Sequence, residues 1–295
     1  MLKKGLAAAL ALGLALCATA SAQQSGAQRD PLGGNFGALE LALSPRAAAQ
    51  QQRLFAEALG ALQPGRPGRA DVYLLVAGFW SDPVFESEAR EGAAILSRDL
   101  GAAGRTIVLT GGVGAPGDRA FPAATPYHLN AAIGRIGELI DPSEDLVVLF
   151  LTSHGYPDGG MAIREHNRMQ GVLRPVHLRD ALADAGIRTR VVIVSSCFAG
   201  AFIPPLMDEN TIVLTAAAHN RTSFGCQPTR DWTYFGDAFL SQAVRNGAGL
   251  IAGFDAATRT IAQWESEQGL TPSQPQKHVG PRAAALLARV ERDAR

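Results

Sequence analysis

Leu146-Val-Val-Leu-Phe-Leu-Thr-Ser-His154-Gly155 and Val191-Val-Ile-Val-Ser-Ser-Cys197 are two apolar runs, the first leading into an imidazole and the second into a thiol. A short run rich in β-branched and aliphatic residues, closed by glycine or serine, reads as a strand buried on both faces, the kind found in parallel sheets. That reading puts His154 and Cys197 at the carboxyl ends of two strands, where open α/β sheets hold their ligands. If the two strands are neighbours, a base and a nucleophile meet on one rim, as thiol-based acyl transfer requires. The pattern predicts a cysteine hydrolase.

Working outward, further apolar runs fall at Val72 to Ala77, Thr106 to Leu109 and Ile212 to Ala216, with a weaker one at Leu250 to Phe254. Between most of them lie stretches of helical period: Val84 to Leu100, Thr125 to Leu139, His177 to Ala185 and Tyr234 to Ala243. Strand alternating with helix predicts an α/β fold, a three-layer α/β/α sandwich around a mostly parallel sheet. Three connections lack a clear period and carry glycine or proline: Tyr156 to Arg174, Gln227 to Trp232 and Gly269 to Gly280. Long irregular segments of this kind are commonly functional, and these are candidate substrate walls.

The amino-terminal residues are not expected in the fold. Met1-Leu2-Lys3-Lys4 is a positive region, Leu6 to Leu16 an apolar core, and Ala20-Ser21-Ala22 a small-residue cleavage site, so residues 1–22 read as a signal peptide. An exported protein, periplasmic or secreted, follows. Cys17 does not suit a lipid attachment site, because the large Leu16 precedes it. No later segment approaches the roughly 20 apolar residues needed to span a bilayer. Residues 23–66 read as a partly disordered lead-in with one helix from Pro45 to Leu62, and residues 67–295 as a single domain.

Lys and Arg number 27 and Asp and Glu number 27, so there is no net charge to draw a nucleic acid or an acidic membrane. Gly111 to Gly117 lacks the Lys-Ser/Thr ending of a phosphate loop, and no Gly-x-Ser-x-Gly elbow is present. Glu165-His166 is not followed by a second histidine at ligand spacing, and His128, His177, His219 and His278 are scattered, so no metal site is expected. The sequence carries no sign of oligomeric state.

For the pair itself, His154 takes the thiol proton and returns it to the leaving amine. The backbone N–H groups of Gly155 and Cys197 are the candidate oxyanion donors. The competing reading makes Cys197 a small buried hydrophobe, and the local pattern leaves both open. Cys226 is a packed thiol beside the site, the partner of Cys197 in a disulfide that consumes the nucleophile, or a directly functional residue. Arg230, Asp231 and Asp237, flanking Trp232 and Thr233, are candidate substrate-binding residues, with solvated loop charges as the alternative.

Several ordered motifs together resemble the bacterial branch of the legumain family of cysteine peptidases. They are Leu149 to Gly155, Ala185 to Gly200, Arg221-Thr-Ser-Phe-Gly-Cys226, Thr233-Tyr-Phe-Gly236, Val84-Phe85 with Glu88, and Pro272-Ser-Gln-Pro-Gln276. The similarity runs from about Asp71 to Leu287. It implies a caspase-like fold, a His154 and Cys197 dyad, an oxyanion site at Gly155 and Cys197, peptide or protein substrates, and neither metal nor organic cofactor. It also leaves open transpeptidation, or a catalytically silent peptide-binding module of the same fold. Eukaryotic members place an asparagine after the first strand to orient the histidine, whereas this chain has Gly78-Phe79-Trp80-Ser81-Asp82. Asp82 is therefore either an orienting residue or a helix cap before Pro83. No residue here matches the family's basic S1 position, so cleavage after asparagine does not carry over.

Overall fold

The computed structural model describes residues 44–112, 120–165 and 168–294. In chain order the elements are α1 (Pro45–Gly60), β1 (Val72–Gly78), α2 (Pro83–Asp99), β2 (Thr106–Thr110), α3 (Pro126–Leu139), β3 (Leu146–Thr152), β4 (Met161–Glu165) and β5 (Arg168–Leu173). There follow α4 (Pro175–Asp184), β6 (Arg190–Ser195), a 3₁₀ turn (Ala199–Phe202), α5 (Ile203–Leu206), β7 (Thr211–Thr215) and α6 (Tyr234–Gly236). A π-helix (Asp237–Val244) continues α6, and α7 (Leu250–Glu267), β8 (Gln276–Val279) and α8 (Pro281–Asp293) complete the chain.

Six strands form one sheet in the order β2-β1-β3-β6-β7-β8, parallel except for β8. Every residue of β1, β3, β6 and β7 is buried, as expected for strands covered on both faces. Side chains alternate between two apolar layers. Leu74, Val76, Val148, Phe150, Val191 and Ile193 pack under α2, the π-helix, α7 and α8, whereas Leu75, Leu149, Leu151, Val192 and Val194 pack under α1, α3 and α4. The architecture is the three-layer α/β/α sandwich of the caspase-like fold. Proline opens α1, α2, α3, α4 and α8, where its missing N–H costs nothing and its fixed φ favours a helical start.

Three sequence expectations need correction. Leu250 to Phe254 is the first turn of α7 rather than a strand, because its apolar residues continue as a helical stripe through Ala257 and Ile261. The last strand is instead β8, inside the stretch read as irregular from Gly269 to Gly280. Three of its four residues are polar and none is fully buried, so its place comes mainly from backbone pairing with β7 at the sheet edge. Tyr156 to Arg174 is likewise not a structureless loop, since it holds the antiparallel β4–β5 hairpin, with an irregularity between Ile163 and Arg164. The proposed signal peptide, Cys17 and the first part of the lead-in, residues 23–43, lie outside the described residues. The lead-in's helix is present as α1.

Close packing between α2 and the sheet gives a paired test. A Cβ on Gly92 would lie 2.7 Å from Phe150 Cε1 and 3.0 Å from Leu240 Cδ1, while one on exposed Gly134 in α3 would meet nothing within 4 Å. Gly92→Ala is expected to destabilise by about 1–3 kcal/mol through overpacking. Gly134→Ala is expected to stabilise by about 0.5–1 kcal/mol through helix propensity. Urea unfolding of both variants reads the two signs, and equal effects would contradict this packing.

Candidate active site

Gly78, Thr152 and Ser195, the last residues of β1, β3 and β6, are paired across the sheet. The ladder runs one residue further, because Ser153 N–H donates to the Ser195 carbonyl at 3.2 Å. His154 and Cys197 therefore each stand two residues beyond a paired position, on adjacent strands and on the same rim. The two turns touch. A Cβ on Gly155 would come within 1.9 Å of the Cys197 carbonyl oxygen, so only glycine allows the approach.

The hairpin holds the His154 backbone from outside, with Ala162 N–H donating to the His154 carbonyl at 2.9 Å and Ser153 Oγ donating to the Ala162 carbonyl at 2.6 Å. The imidazole lies edge-on to Trp80 and Phe85, with ring centroids 4.8 Å and 4.9 Å away. Asp82 Oδ2 is 3.9 Å from Nε2. Although Asp82 occupies the position before α2, its side chain makes no capping hydrogen bond, which leaves the carboxylate turned to the histidine. Burial lowers the His154 pKa, Asp82 opposes that shift, and Arg164 adds to it.

Cys197 Sγ accepts from Ser223 N–H at 3.3 Å and faces the Ser223 carbonyl at 3.6 Å. Burial pushes the thiol pKa up, and the Ser223 N–H partly offsets this. The next residue, Phe198, has φ of 58°, a left-handed conformation that costs a non-glycine residue roughly 1–2 kcal/mol. Its N–H donates to the Arg221 carbonyl at 2.8 Å, which ties the sharp turn after the thiol to the loop following β7. Among the described residues the N–H groups of Gly155 and Cys197 have no backbone carbonyl acceptor, and the Cys197 N–H turns toward its own Sγ.

Cys197 and Cys226 are both free, so the disulfide considered from sequence is not formed. Burial, with the charges of Cys197, Glu88 and Asp82 adding to it, pushes the Cys226 thiol up to about 12. Glu88, fully buried on α2, accepts from Thr152 Oγ at 3.1 Å and from Thr233 N–H at 2.8 Å, while Thr233 Oγ lies 3.1 Å from Ser195 Oγ. One carboxyl group thus joins the ends of β3 and β6 to the Thr233-Tyr-Phe-Gly236 segment. Burial raises its pKa against these donors.

Of the candidate binding residues, Arg230 and Asp237 are brought to 3.9 Å of each other. Arg230 also lies over the Tyr234 ring at 5.1 Å and donates to the Trp232 carbonyl at 3.1 Å. Asp231 is exposed. None of the three forms a hydrogen bond or ion pair with His154 or Cys197 among the described residues. Sequence reasoning missed Trp80, Arg164 and Ser223. The first two flank elements whose relation depends on the hairpin, and Ser223 acts through a main-chain N–H that any residue carries. Among the described residues no group of three or more His, Cys, Asp or Glu side chains is arranged to hold a metal, and no helix is long and apolar enough to cross a membrane.

A model of the Peptidase C13 family matches residues 130–284, more than half of the chain and a span that includes both His154 and Cys197. Comparison with curated proteins finds no match.

A raised thiol pKa and a lowered imidazole pKa both disfavour an ion pair, so near neutral pH the two groups rest as thiol and neutral imidazole. The rate of iodoacetamide alkylation at Cys197, followed by mass spectrometry, should still be climbing at the pH where an ordinary cysteine has levelled off. A plateau reached below neutral pH would mean a resting thiolate and imidazolium, and would contradict this electrostatic picture.

Proposed function

The chain belongs to the Peptidase C13 family, the legumain family of cysteine peptidases, and from that premise we propose that it hydrolyses peptide bonds with Cys197 as nucleophile and His154 as base and then acid. The observation that carries the reading is the paired end of β3 and β6, which brings both residues to one rim beside two N–H groups that no backbone carbonyl occupies. Sγ attacks the scissile carbonyl carbon as His154 takes the thiol proton. The N–H groups of Gly155 and Cys197 receive the resulting oxyanion. The tetrahedral species collapses when the C–N bond breaks, and His154 delivers its proton to the departing amine, leaving a thioester on Cys197. Water then attacks that thioester with His154 again as base, and the acid product leaves.

Asp82 is the orienting residue for the imidazole in this account, supported by its 3.9 Å approach to Nε2 and its lack of a capping bond. The acyl-side wall is assigned to the segment after Cys226, with Arg230, Asp231 and Asp237 as its charged side chains. Supporting this, Tyr234 N–H donates to the Phe224 carbonyl at 3.0 Å, which folds that segment back beside Ser223. The amino-terminal sequence supports export to the periplasm or beyond, where peptides or proteins are the substrates.

Turnover of fluorogenic peptides by the mature protein is the test. Cys197→Ala should abolish it with the fold retained, and His154→Ala should lower kcat by roughly 10²-fold to 10⁴-fold. Because Asp82 raises the His154 pKa, its removal lowers that pKa, so the acid limb of the kcat/KM profile should move to lower pH in Asp82→Asn. A Cys197→Ala protein that still turns over peptide would falsify the nucleophile assignment, and an unmoved acid limb would remove Asp82 from the account.

A further inference from the structure

Thr152 and Ser195 stand opposite each other at the ends of β3 and β6, each two residues before a member of the reacting pair. The ladder between the strands closes with the Ser153 N–H bond to the Ser195 carbonyl, so beyond that point the spacing of imidazole and thiol depends on what holds the strand ends. Both hydroxyl-bearing residues are buried. The Thr152 hydroxyl donates to Glu88 Oε1 at 3.1 Å, Thr233 N–H donates to Glu88 Oε2 at 2.8 Å, and Ser195 Oγ lies 3.1 Å from Thr233 Oγ. A single carboxyl group on α2 is therefore tied to both strand ends. The backbone closes over it: a Cβ on Gly236 would lie 2.6 Å from Glu88 Cδ and 2.7 Å from Oε2, so the approach needs glycine.

Donor and acceptor roles follow from the groups themselves. A main-chain N–H only donates, and Thr233 Oγ already accepts from Gly236 N–H at 3.0 Å, which leaves the hydroxyl protons of Thr233 and Ser195 to run toward the carboxyl group. Burial raises the Glu88 pKa, while the Thr233 N–H and the hydroxyls of Ser195, Thr233 and Thr152 oppose the rise, as donors to a carboxylate do. A buried acceptor met by several donors is a stiff joint, because a movement that opens one of these bonds leaves a polar group unpaired in the core. Two branches leave it. One runs from Oε1 through Thr152 to the strand that carries His154. The other runs from Oε2 to the segment bearing Arg230 and Asp237, and the Thr233 hydroxyl passes that tie on to Ser195 and the strand that carries Cys197.

We infer that Glu88 is a positioning residue for the reaction: its carboxylate, through Thr152 on one branch and Thr233 with Ser195 on the other, holds the ends of β3 and β6 at the spacing that proton transfer between Cys197 and His154 requires. It touches neither substrate nor reacting atoms. The inference rests on the assignment of those two residues as nucleophile and acid–base. A displacement of about 1 Å in such a pair costs on the order of 10²-fold in rate, so the loss belongs in kcat. A role confined to stability would instead change how much protein is folded and leave the turnover of each folded molecule alone.

Steady-state cleavage of a fluorogenic peptide tests this, with kcat expressed per folded molecule and the folded fraction taken from urea unfolding. In Glu88→Gln the side-chain carbonyl has to face Thr233 N–H, since an amide NH₂ there would meet another donor, and the NH₂ is left facing Thr152 Oγ. The branch to the binding segment survives while the Thr152 hydroxyl loses its acceptor. kcat should fall roughly 10-fold to 100-fold with KM little changed. Thr152→Val cuts the same branch with a side chain of similar size and should match that loss, whereas Thr152→Ser should keep most of kcat. The double variant Glu88→Gln with Thr152→Val should lose no more than either alone, because both remove one interaction. Wild-type kcat per folded molecule in Glu88→Gln and Thr152→Val, whatever their stability, overturns the inference; so does a rise in KM alone, or losses that multiply in the double variant. If Glu88→Gln does not fold, the contrast between Thr152→Val and Thr152→Ser decides, and equal kcat in the two overturns it. Absence of any Cys197-dependent cleavage by the wild-type protein overturns the peptidase reading and this inference with it.

Discussion

Everything at the rim depends on the parallel ladder that brings Gly78, Thr152 and Ser195 level. Parallel pairing fixes strands in register through evenly spaced backbone hydrogen bonds, and a slip of one residue would turn every side chain to the opposite face. Such a slip is strongly opposed here, since both faces of β3 and β6 are packed and their side chains alternate strictly between the two apolar layers. The same constraint that builds the core thus sets the separation of His154 and Cys197. Gly155 then lets the two turns close on each other without a side chain between them.

Burial shapes the chemistry as much as position does. A thiol and an imidazole both partly withdrawn from water are each favoured in the neutral form, so proton transfer awaits a substrate whose developing charge is met by fixed N–H donors. Glu88 is one of several buried polar groups, and the acidic one that lies beneath the rim. Its carboxyl group accepts hydrogen bonds from Thr152 and Thr233, an arrangement that makes burying it tolerable and binds three chain segments beneath the rim. Phe198 adds local strain, with a left-handed backbone directly after the thiol held by the Arg221 carbonyl.

What could be read from sequence follows from what burial selects. β1, β3, β6 and β7 are buried throughout, so they stand out as apolar runs, and the residues closing β3 and β6 point directly to the rim. β8 and the hairpin were not legible, because Gln276 to Val279 and the glycine-bearing stretch after His154 are held by main-chain pairing that leaves little mark on composition. The run at Leu250 misled because a few apolar residues in succession fit a helix or a strand equally, and only the longer stripe through Ile261 separates them. Asp82 was legible in two ways, as an orienting residue for His154 or as a helix cap, and choosing between them depends on the register of β1 against β3. Arg164 was hidden inside a segment read as irregular.

The central claim is that the imidazole of His154 and the thiol of Cys197 form one reacting pair. A short bifunctional alkylating reagent such as a dihaloacetone tests it most directly, because its first reaction captures the thiol and its second can reach only a nucleophile a few atoms away. Peptide mapping of the treated protein should find a single bridge joining Cys197 to a ring nitrogen of His154. Cys197 alkylated without a bridge, or bridged to Cys226 or any residue other than His154, would contradict the account.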